Sequence, residues 1–314
     1  MKKIVVLGGS GFVGSHLVHR LSVEGYAVKV LARRREDAKH LTLLPNVQIE
    51  ECDVFFESAL NRAIRGSDAV INLIGILHET KRHGYTKVHV ELPRKVAQAC
   101  RTQGVSRLLQ MSALQAAPDA PSAYLRSRAA GEAVVKEVGQ DALRITLFRP
   151  SVIFGRGDSF FNLFAGLVRL MPVLLLAGHK ARFQPVFVED VAQVFVSSLE
   201  LTETVGQTYA LCGPKVYTLH ELVQYVADTL GLKRCIVGLN ERLSYLQAWA
   251  MELLPVKLMT RDNYYSMQVD SVCACAFPAV FNILPTPLEA VVPSYLADRS
   301  PRQAYLRFRS VAGR

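Results

Sequence analysis

The chain has 314 residues, half of them hydrophobic, and its 37 Lys and Arg residues outnumber its 27 Asp and Glu residues. This composition excludes a disordered polymer, and the length allows one large domain or a domain with a smaller lobe. The formal net charge of +10 favours anionic partners, although charge alone does not distinguish a phosphorylated cofactor from an acidic protein, an anionic lipid or a nucleic acid.

The first residues of the chain contain the strongest motif. Residues 4–7 form an apolar, mostly β-branched run that predicts a buried strand, and apolar residues recur at helical spacing further along. Gly8, Gly11 and Gly14 lie between them. Strand, glycine turn and helix form the frame of a dinucleotide-binding loop, in which the helix amino terminus faces phosphate groups. The alternative is a tight turn that binds no ligand.

Strand and helix patterns alternate up to about residue 150, which predicts an α/β fold with a doubly wound parallel sheet and helices on both faces. The predicted strands after the first are residues 26–32, 47–50, 68–74, 107–111 and 143–148. The predicted helices after the first are residues 36–44, 57–65, 87–103 and 122–138. We therefore predict a dinucleotide-binding domain of the Rossmann type over residues 1–150.

Beyond residue 150 the alternation loosens, and we predict a smaller, mixed C-terminal substrate lobe over residues 151–314, with some segments returning to the sheet. Its predicted elements are a strand and helix over residues 186–199, with a cap near Asp190, a strand over 207–211, a helix over 218–230 with Thr218 as N-cap, and a helix over 240–254. The apolar run 167–177 is too short to span a bilayer, which needs roughly 20 apolar residues. We expect burial of this run, with a surface that contacts a membrane or a partner as the alternative.

Six cysteines are present, at positions 52, 100, 212, 235, 273 and 275. No CxxC pair or zinc-ligand spacing occurs among them, and the amino terminus does not resemble a secretory signal. We therefore predict reduced cysteines in a cytoplasmic protein, with packing as the role of Cys273 and Cys275. We predict no metal site, because His78, His83 and His89 lack a carboxylate partner at ligand spacing.

The end of the second predicted strand indicates which nicotinamide cofactor binds. NAD sites place Asp or Glu there to accept a hydrogen bond from the ribose 2′-hydroxyl group. Here Ala32 is followed by Arg33, Arg34 and Arg35, and guanidinium groups pair well with a 2′-phosphate. We predict NADP(H) in preference to NAD(H), with Arg33 first and Arg34 second. The alternative is a solvated helix start.

Asp53 follows the third predicted strand. A carboxylate there can accept a hydrogen bond from the adenine amino group; a helix or turn cap is the alternative.

Together these motifs resemble the extended or atypical branch of the short-chain dehydrogenase/reductase superfamily. The matches are GxxGxxG at Gly8, Gly11 and Gly14, the acidic residue Asp53, NLIG with Asn72 and Gly75, Ser112 after the fifth strand, YxxxR at Tyr124 and Arg128 where the superfamily has YxxxK, RPxxxxG at Arg149, Pro150 and Gly155, and PVxVxDVA at residues 185–192.

The resemblance implies a catalytic set and a wider cofactor-binding set. Tyr124 would act as acid and base, Ser112 would orient the substrate oxygen, and Arg128 would take the place of the lysine that binds the nicotinamide ribose. A tyrosine that only begins a helix is the alternative for Tyr124. The other implied cofactor contacts are Ser10, Phe12, Val13, Val54, Leu73, Gly75, Pro150 and Ile153, beside the three glycines, Arg33, Arg34 and Asp53. His89 would belong to the pocket wall.

A second resemblance extends over almost the whole chain. Segments such as VHVELPRKVAQAC and PTPLEAVVPSYL resemble bacterial relatives of the NADPH-binding accessory subunit of mitochondrial complex I. Two functions stay open: an NADP(H)-dependent oxidoreductase on a small or quinone-like substrate, and a non-catalytic cofactor-binding protein that stabilises or senses a membrane-associated redox complex such as complex I. The basic tail 299–314 could contact anionic lipid or an acidic partner, or be solvated. A peripheral location of the protein at the inner face of the membrane is therefore an alternative to a purely cytoplasmic one. No motif indicates nucleic-acid binding.

Overall fold

The computed structural model describes residues 1–80, 83–140, 142–254 and 258–297, and the basic tail therefore lies outside the described residues. Its strands, in chain order, are β1 (Lys3–Leu7), β2 (Ala27–Ala32), β3 (Val47–Glu51), β4 (Ala69–Asn72), β5 (Arg107–Met111), β6 (Arg144–Pro150), β7 (Ile153–Phe154), β8 (Val173–Leu176), β9 (Arg182–Phe183), β10 (Val186–Phe187), β11 (Thr208–Leu211), β12 (Tyr217–Thr218) and β13 (Cys235–Gly238).

A seven-stranded sheet forms the centre, in the spatial order β11-β6-β5-β4-β1-β2-β3, and every pairing in it is parallel. β1 lies between β2 and β4, so the strand order reverses at the end of β1. In parallel α/β sheets, ligands bind at the carboxyl ends of the strands beside such a switch point. The sheet confirms the predicted fold class and directs attention to this edge.

The helices, in chain order, are α1 (Phe12–Val23), α2 (Glu57–Ile64), α3 (Leu92–Gln103), α4 (Ala123–Gly139), α5 (Ser159–Leu170), α6 (Val188–Glu200), α7 (Leu219–Thr229), α8 (Glu241–Glu252), α9 (Arg261–Ser266) and α10 (Leu288–Leu296). The first strand explains why they cover both faces of the sheet. Ile4 and Val6 pack in one cluster with α1 and α6, whereas Val5 and Leu7 pack in a second cluster with α2, α3 and α4. A strand that is buried on both sides reads as a continuous apolar run.

A third hydrophobic cluster holds the C-terminal region together. Phe154, Phe161 and Leu174 meet buried side chains of α7 and α10 there. Three two-stranded pairs surround this cluster: β7 with β10, β9 with β12, and β8 with β13. Thr218 caps α7 as predicted, in a capping box with Glu221. Among the described residues, no helix is long and apolar enough to cross a membrane.

Two predicted helices differ in form from the expectation. Residues 36–44 do not make an α-helix; a 3₁₀-helix covers Arg35–Leu41 instead, and it buries only Ala38 and Leu41. The predicted helix 87–103 begins as a π-helical turn over Thr86–Glu91 before α3 starts. Wide π turns of this kind are frequent at functional sites, and this one contains His89.

Two predictions in the C-terminal half are wrong. Asp190 does not cap α6, because the helix begins at Val188; its carboxylate instead accepts hydrogen bonds from the backbone N–H and the hydroxyl of Thr286 at 2.7 and 3.0 Å. Burial of the run 167–177 is also wrong for half of its residues. Leu174 and Leu176 are buried, but Leu170 is 81% exposed and Leu175 is 54% exposed.

The prediction of six reduced cysteines is wrong as well. Cys212 and Cys273 form a disulfide, with their Cα atoms 6.1 Å apart although the two residues are separated by 61 positions in the sequence. Cys212 directly follows β11, and the chain around Ser271 returns to the same edge of the sheet, where Ser151 donates to the Ser271 carbonyl at 2.8 Å. Cys275 stays free and exposed. Spacing alone did not reveal the pair because the two segments meet only in the tertiary structure.

We expect the substitution Cys273→Ser to lower the free energy of unfolding by about 2–4 kcal/mol, because the cross-link restricts a long loop of the unfolded chain. Thermal and denaturant unfolding measure this loss. Cys275→Ser is the matched control and should leave stability unchanged, since its thiol is free and exposed. Thiol titration of the denatured, non-reduced protein should count four thiols; six thiols would contradict the disulfide.

Candidate dinucleotide-binding site

The glycine loop after β1 brings the start of α1 against the sheet. Gly8 has a φ of +79°, which favours glycine, and a β-carbon on Gly14 would lie only 2.1 Å from the Gly8 carbonyl oxygen. Gly11 is the N-cap of α1, with no side-chain cap and no acidic residue in the first turn. Phe12 and Val13 lie in this first turn, and Ser10 lies in the loop before it. The uncapped helix amino terminus therefore suits an anionic group.

The segment after β2 lies beside this loop. Arg33 and Arg34 are exposed, and neither is part of an ion pair among the described residues. The following 3₁₀-helix is tied to α1 by a hydrogen bond of 2.7 Å between the Ser15 hydroxyl and His40 Nε2. This bond, which the sequence analysis did not anticipate, holds the arginine segment next to the first turn of α1.

Asp53 stands at the end of β3, as the motif predicts. One of its carboxylate oxygens accepts from the backbone N–H of Phe55 at 3.0 Å, which is the turn-cap geometry of the alternative interpretation. Val54 is buried next to it. The second carboxylate oxygen leaves Asp53 able to accept a further donor.

The residues at and after the end of β4 lie next to the candidate catalytic residues. Leu73 donates its N–H to the Leu7 carbonyl at 3.0 Å, and the fully buried Asn72 donates to Gln110 at 2.9 Å. A β-carbon on Gly75 would lie 1.9 Å from a guanidinium nitrogen of Arg128. Gly75 thus provides the space in which the Arg128 side chain lies.

Ser112, Tyr124 and Arg128 come together at the carboxyl end of β5. The Arg128 guanidinium carbon is 5.4 Å from the centre of the Tyr124 ring, and one Nη atom donates to the Met111 carbonyl at 3.4 Å. Arg128 Nε and Ser112 Oγ are both buried and have no hydrogen-bond partner among the described residues. Buried polar atoms normally have partners. Two such atoms lie at the carboxyl end of β5. We call the edge of the sheet from the glycine loop to these two atoms the groove.

His89 lies between two tyrosines, with ring centres 5.4 Å from Tyr85 and 5.6 Å from Tyr124. Its Nε2 accepts the Ile76 N–H at 3.0 Å, so Nδ1 carries the proton and donates to Ser127 Oγ at 2.8 Å. Burial, together with the nearby charge of Arg128, lowers the pKa of His89 to about 2. The imidazole is therefore neutral and structural. The described residues contain no group of three or more potential metal ligands.

Asp262 in α9 is a site residue that the sequence analysis missed. Its two carboxylate oxygens accept from the backbone N–H groups of Ala123 and Tyr124, at 2.7 and 3.0 Å. The side chain of Ser122 accepts the next free N–H, from Leu125. A carboxylate is favourable at a helix amino terminus, so the C-terminal region fixes the start of the helix that carries Tyr124. No local sequence pattern near Asp262 indicates this contact.

The far side of the groove is built from β6, β7 and a returning segment. Pro150 accepts from Leu114 N–H at 3.0 Å, and Ile153 pairs with Val186. Gln115, at a φ of +62°, donates to the carbonyls of Asp270 and Val272 at 3.0 and 3.2 Å. The disulfided segment 270–273 is thereby fastened to the loop that follows Ser112.

A histidine–carboxylate pair joins the glycine-loop helix to the C-terminal region. His16 Nδ1 is 2.5 Å from Glu189 on α6, and His16 Nε2 is 3.2 Å from the Arg156 carbonyl. The hydrogen bond with Glu189 raises the pKa of His16 above its ordinary 6.5. The same bond lowers the pKa of Glu189 below its ordinary 4.5. The pair holds the loop around Arg156 over the first turn of α1.

Comparison with known proteins identifies the family of this chain. A model of the NAD dependent epimerase/dehydratase family matches residues 4–212. NADH dehydrogenase (ubiquinone) 1 alpha subcomplex subunit 9, mitochondrial, of Mus musculus is 33% identical over 295 residues, which cover 90% of this chain and 77% of the relative. Ceramide reductase of Caulobacter vibrioides is 30% identical over 240 residues, 76% of this chain and 74% of that protein.

Among solved structures, Pal from Bacillus thuringiensis superposes with a TM-score of 0.71 at 17% identity, over 94% of this chain and 97% of that chain. At this identity the superposition supports the fold alone. The sequence matches go further, because they make this chain a homologue of the complex I subunit.

We expect the contribution of the His16–Glu189 pair to the free energy of unfolding to follow a bell-shaped dependence on pH. The contribution requires protonated His16 and ionised Glu189. It is full between about pH 4.5 and 6.5, is lost as the pH rises through the raised pKa of His16, and is lost as the pH falls through the lowered pKa of Glu189. The destabilisation caused by Glu189→Gln, measured by denaturant unfolding across this range, should therefore be largest near pH 5.5.

Glu24→Gln is the matched control, because Glu24 pairs with Arg20 at 3.1 Å on the surface of the same helix region. An arginine keeps its proton throughout this range. The small effect of this control should stay constant above pH 6.5. A Glu189→Gln effect that also stays constant there would contradict the charged pair.

Proposed function

This chain belongs to the NAD dependent epimerase/dehydratase family, and we propose that it is an NADP(H)-dependent oxidoreductase acting on a small or quinone-like substrate. The observation that carries the proposal is the pair of buried, unpartnered polar atoms, Ser112 Oγ and Arg128 Nε, at the end of a groove that begins at the glycine loop. The names of two relatives, a subunit of NADH dehydrogenase and a reductase, are consistent with redox chemistry.

In this proposal a dinucleotide would lie along the groove. The amino terminus of α1 would hold the pyrophosphate, Asp53 and Val54 the adenine, and Leu73, Gly75, Pro150 and Ile153 the walls near the nicotinamide ribose. Arg128 would donate to ribose hydroxyls from Nε. When bound, the cofactor supplies or accepts a hydride.

Three side chains would handle the substrate oxygen. Ser112 would donate a hydrogen bond to a carbonyl oxygen, and the Tyr124 hydroxyl would deliver the proton that completes reduction to an alcohol. The positively charged guanidinium of Arg128 lies over the Tyr124 ring, so it would stabilise the negative charge left on the phenol oxygen. Asp262 would position Tyr124 by holding the start of α4.

The preference for NADP(H) rests on charge. Arg33 and Arg34 are exposed beside the glycine loop, and neither forms an ion pair within the part of the chain that the structure describes, which suits a 2′-phosphate. Mass spectrometry of the cofactor that co-purifies with the protein is the most direct test. Recovery of NAD(H) alone would contradict the preference.

We expect Arg33→Asp to weaken NADPH binding by about 10- to 100-fold, the equivalent of one lost charge-assisted hydrogen bond, and to change NADH binding little. Titration calorimetry with both cofactors measures the difference. Arg35→Asp makes the same charge change two positions further on and should have a smaller effect on NADPH. Equal losses for NADPH and NADH would refute a 2′-phosphate contact.

One observation favours a second function, a non-catalytic cofactor-binding protein associated with a membrane-bound redox complex such as complex I. The superfamily lysine is replaced by Arg128, whose planar group lies against Gly75 and the Met111 carbonyl. A guanidinium is larger than an ammonium group and has a fixed fork geometry. This side chain suits tight cofactor binding without the need for hydride transfer.

Tyr124→Phe separates the two functions. For an oxidoreductase, turnover of NADPH with quinones or carbonyl compounds should fall about 10²- to 10⁴-fold while NADPH affinity stays within a few-fold. Tyr85→Phe is the control, because the Tyr85 hydroxyl donates to the Leu77 carbonyl at 3.0 Å in the pocket wall. If the wild-type protein leaves bound NADPH reduced with every acceptor, the non-catalytic function replaces the enzyme.

A further inference from the structure

The C-terminal region exposes several large apolar side chains on the neighbouring elements α5, β8, β13 and α8. We call this set the apolar patch; it consists of Leu170, Val173, Leu175, Val237, Leu246 and Trp249. Their exposed fractions run from 41% for Val237 to 81% for Leu170. Single exposed apolar residues are ordinary, but a contiguous group marks an interaction surface.

Strand pairing makes the first part of the patch continuous. Val173 and Leu175 point outward from β8 while Leu174 and Leu176 point into the third hydrophobic cluster. β13 pairs in parallel with β8 and places Val237 directly opposite Leu175. The outer face of this two-stranded pair is therefore apolar.

Helix α8 extends the same surface. The Gln247 side chain donates to the Leu175 carbonyl at 2.8 Å and accepts from the Ala177 N–H at 3.1 Å, so α8 is fastened along the end of β8. Ser244 and Ala248 face the protein interior. The outer positions carry Leu246 and Trp249, 54% and 46% exposed.

Cations lie in the segments that carry the apolar patch. Arg169 and Lys233 are exposed, Arg234 is half-buried and donates to the Val168 carbonyl at 2.6 Å, and Arg242 lies in the first turn of α8 next to the acidic Glu241. The other acidic residue of α8, Glu252, pairs with Arg261 at 2.8 Å. An apolar surface with a basic rim and an exposed tryptophan is typical of proteins that lie on anionic membranes.

We propose that the apolar patch is a docking surface for an anionic lipid bilayer, with Leu246 and Trp249 inserted at the level of the headgroups and the rim cations on the lipid phosphates. A second copy of the chain fits the patch less well, because a symmetric contact would bring the same four cations against each other. The bilayer instead satisfies both the apolar surface and the charge.

Flotation of the full-length protein with vesicles tests this surface. Wild-type protein should float with vesicles of three parts phosphatidylcholine to one part phosphatidylglycerol, less with pure phosphatidylcholine, and less at high salt. The double variant Leu246→Gln, Trp249→Gln should lower the partition coefficient about tenfold or more. Lys233→Gln, Arg242→Gln should lower binding to the anionic vesicles about fivefold for each charge removed.

Leu43→Gln is the matched control, because Leu43 is 93% exposed in the other half of the chain and should not affect flotation. Circular dichroism and NADPH affinity should be unchanged in every variant. Equal flotation of wild type and the double patch variant would overturn the proposal. So would light scattering that shows a wild-type dimer, a monomeric patch variant and no vesicle binding by either; that result would assign the patch to a second copy.

Discussion

The rest of the structure depends on the close approach of α1 to the turn that follows β1. Gly14 lies against the Gly8 carbonyl, where a β-carbon would collide at 2.1 Å. Because the helix can begin there, its uncapped amino terminus points at the switch point between β1 and β4. α6 then packs on α1 in the same cluster, and Glu189 reaches His16. The absence of a side chain at Gly14 thus allows the helix position on which the groove and the elements around it depend.

The C-terminal region holds several elements of the groove in place. The Asp262 carboxylate holds the first N–H groups of the helix that carries Tyr124. Gln115 and the Cys212–Cys273 disulfide hold the 270–273 segment against the loop after Ser112. The proposed redox site therefore has walls from both halves of the chain, and a ligand that binds there stabilises their contact. The apolar patch lies on the same C-terminal region and adds a surface for a different kind of partner.

Arg128 is the residue on which the choice between the two functions depends. Its guanidinium fits because Gly75 has no side chain, and its buried Nε has no hydrogen-bond partner among the described residues. The positive charge that the superfamily needs beside Tyr124 is retained, but in a larger and planar group. Binding a dinucleotide requires the charge and the donors, whereas hydride transfer also requires their position. Arginine in place of the superfamily lysine is therefore compatible both with strong binding of a dinucleotide and with altered hydride transfer.

The sequence by itself determined the parallel sheet, the helices on both faces, the glycine loop and the cap at Thr218. These features follow from apolar periodicity and from local residue types, which act over a few neighbouring positions. It also indicated Ser112, Tyr124 and Arg128, through motifs at the ends of predicted strands and helices. Local pattern failed for residues 36–44, where too few apolar positions face the core for a full α-helix, so that a 3₁₀-helix forms over Arg35–Leu41.

Only the tertiary structure decided the partners of these residues. The Asp262 cap, the His16–Glu189 pair and the Cys212–Cys273 disulfide each join positions more than 60 residues apart in the sequence. Their contact depends on how β11, α6 and α9 return to the carboxyl edge of the sheet. The exposure of alternate residues in β8 was decided in the same way, because one face of that strand has a core to pack against and the other has none.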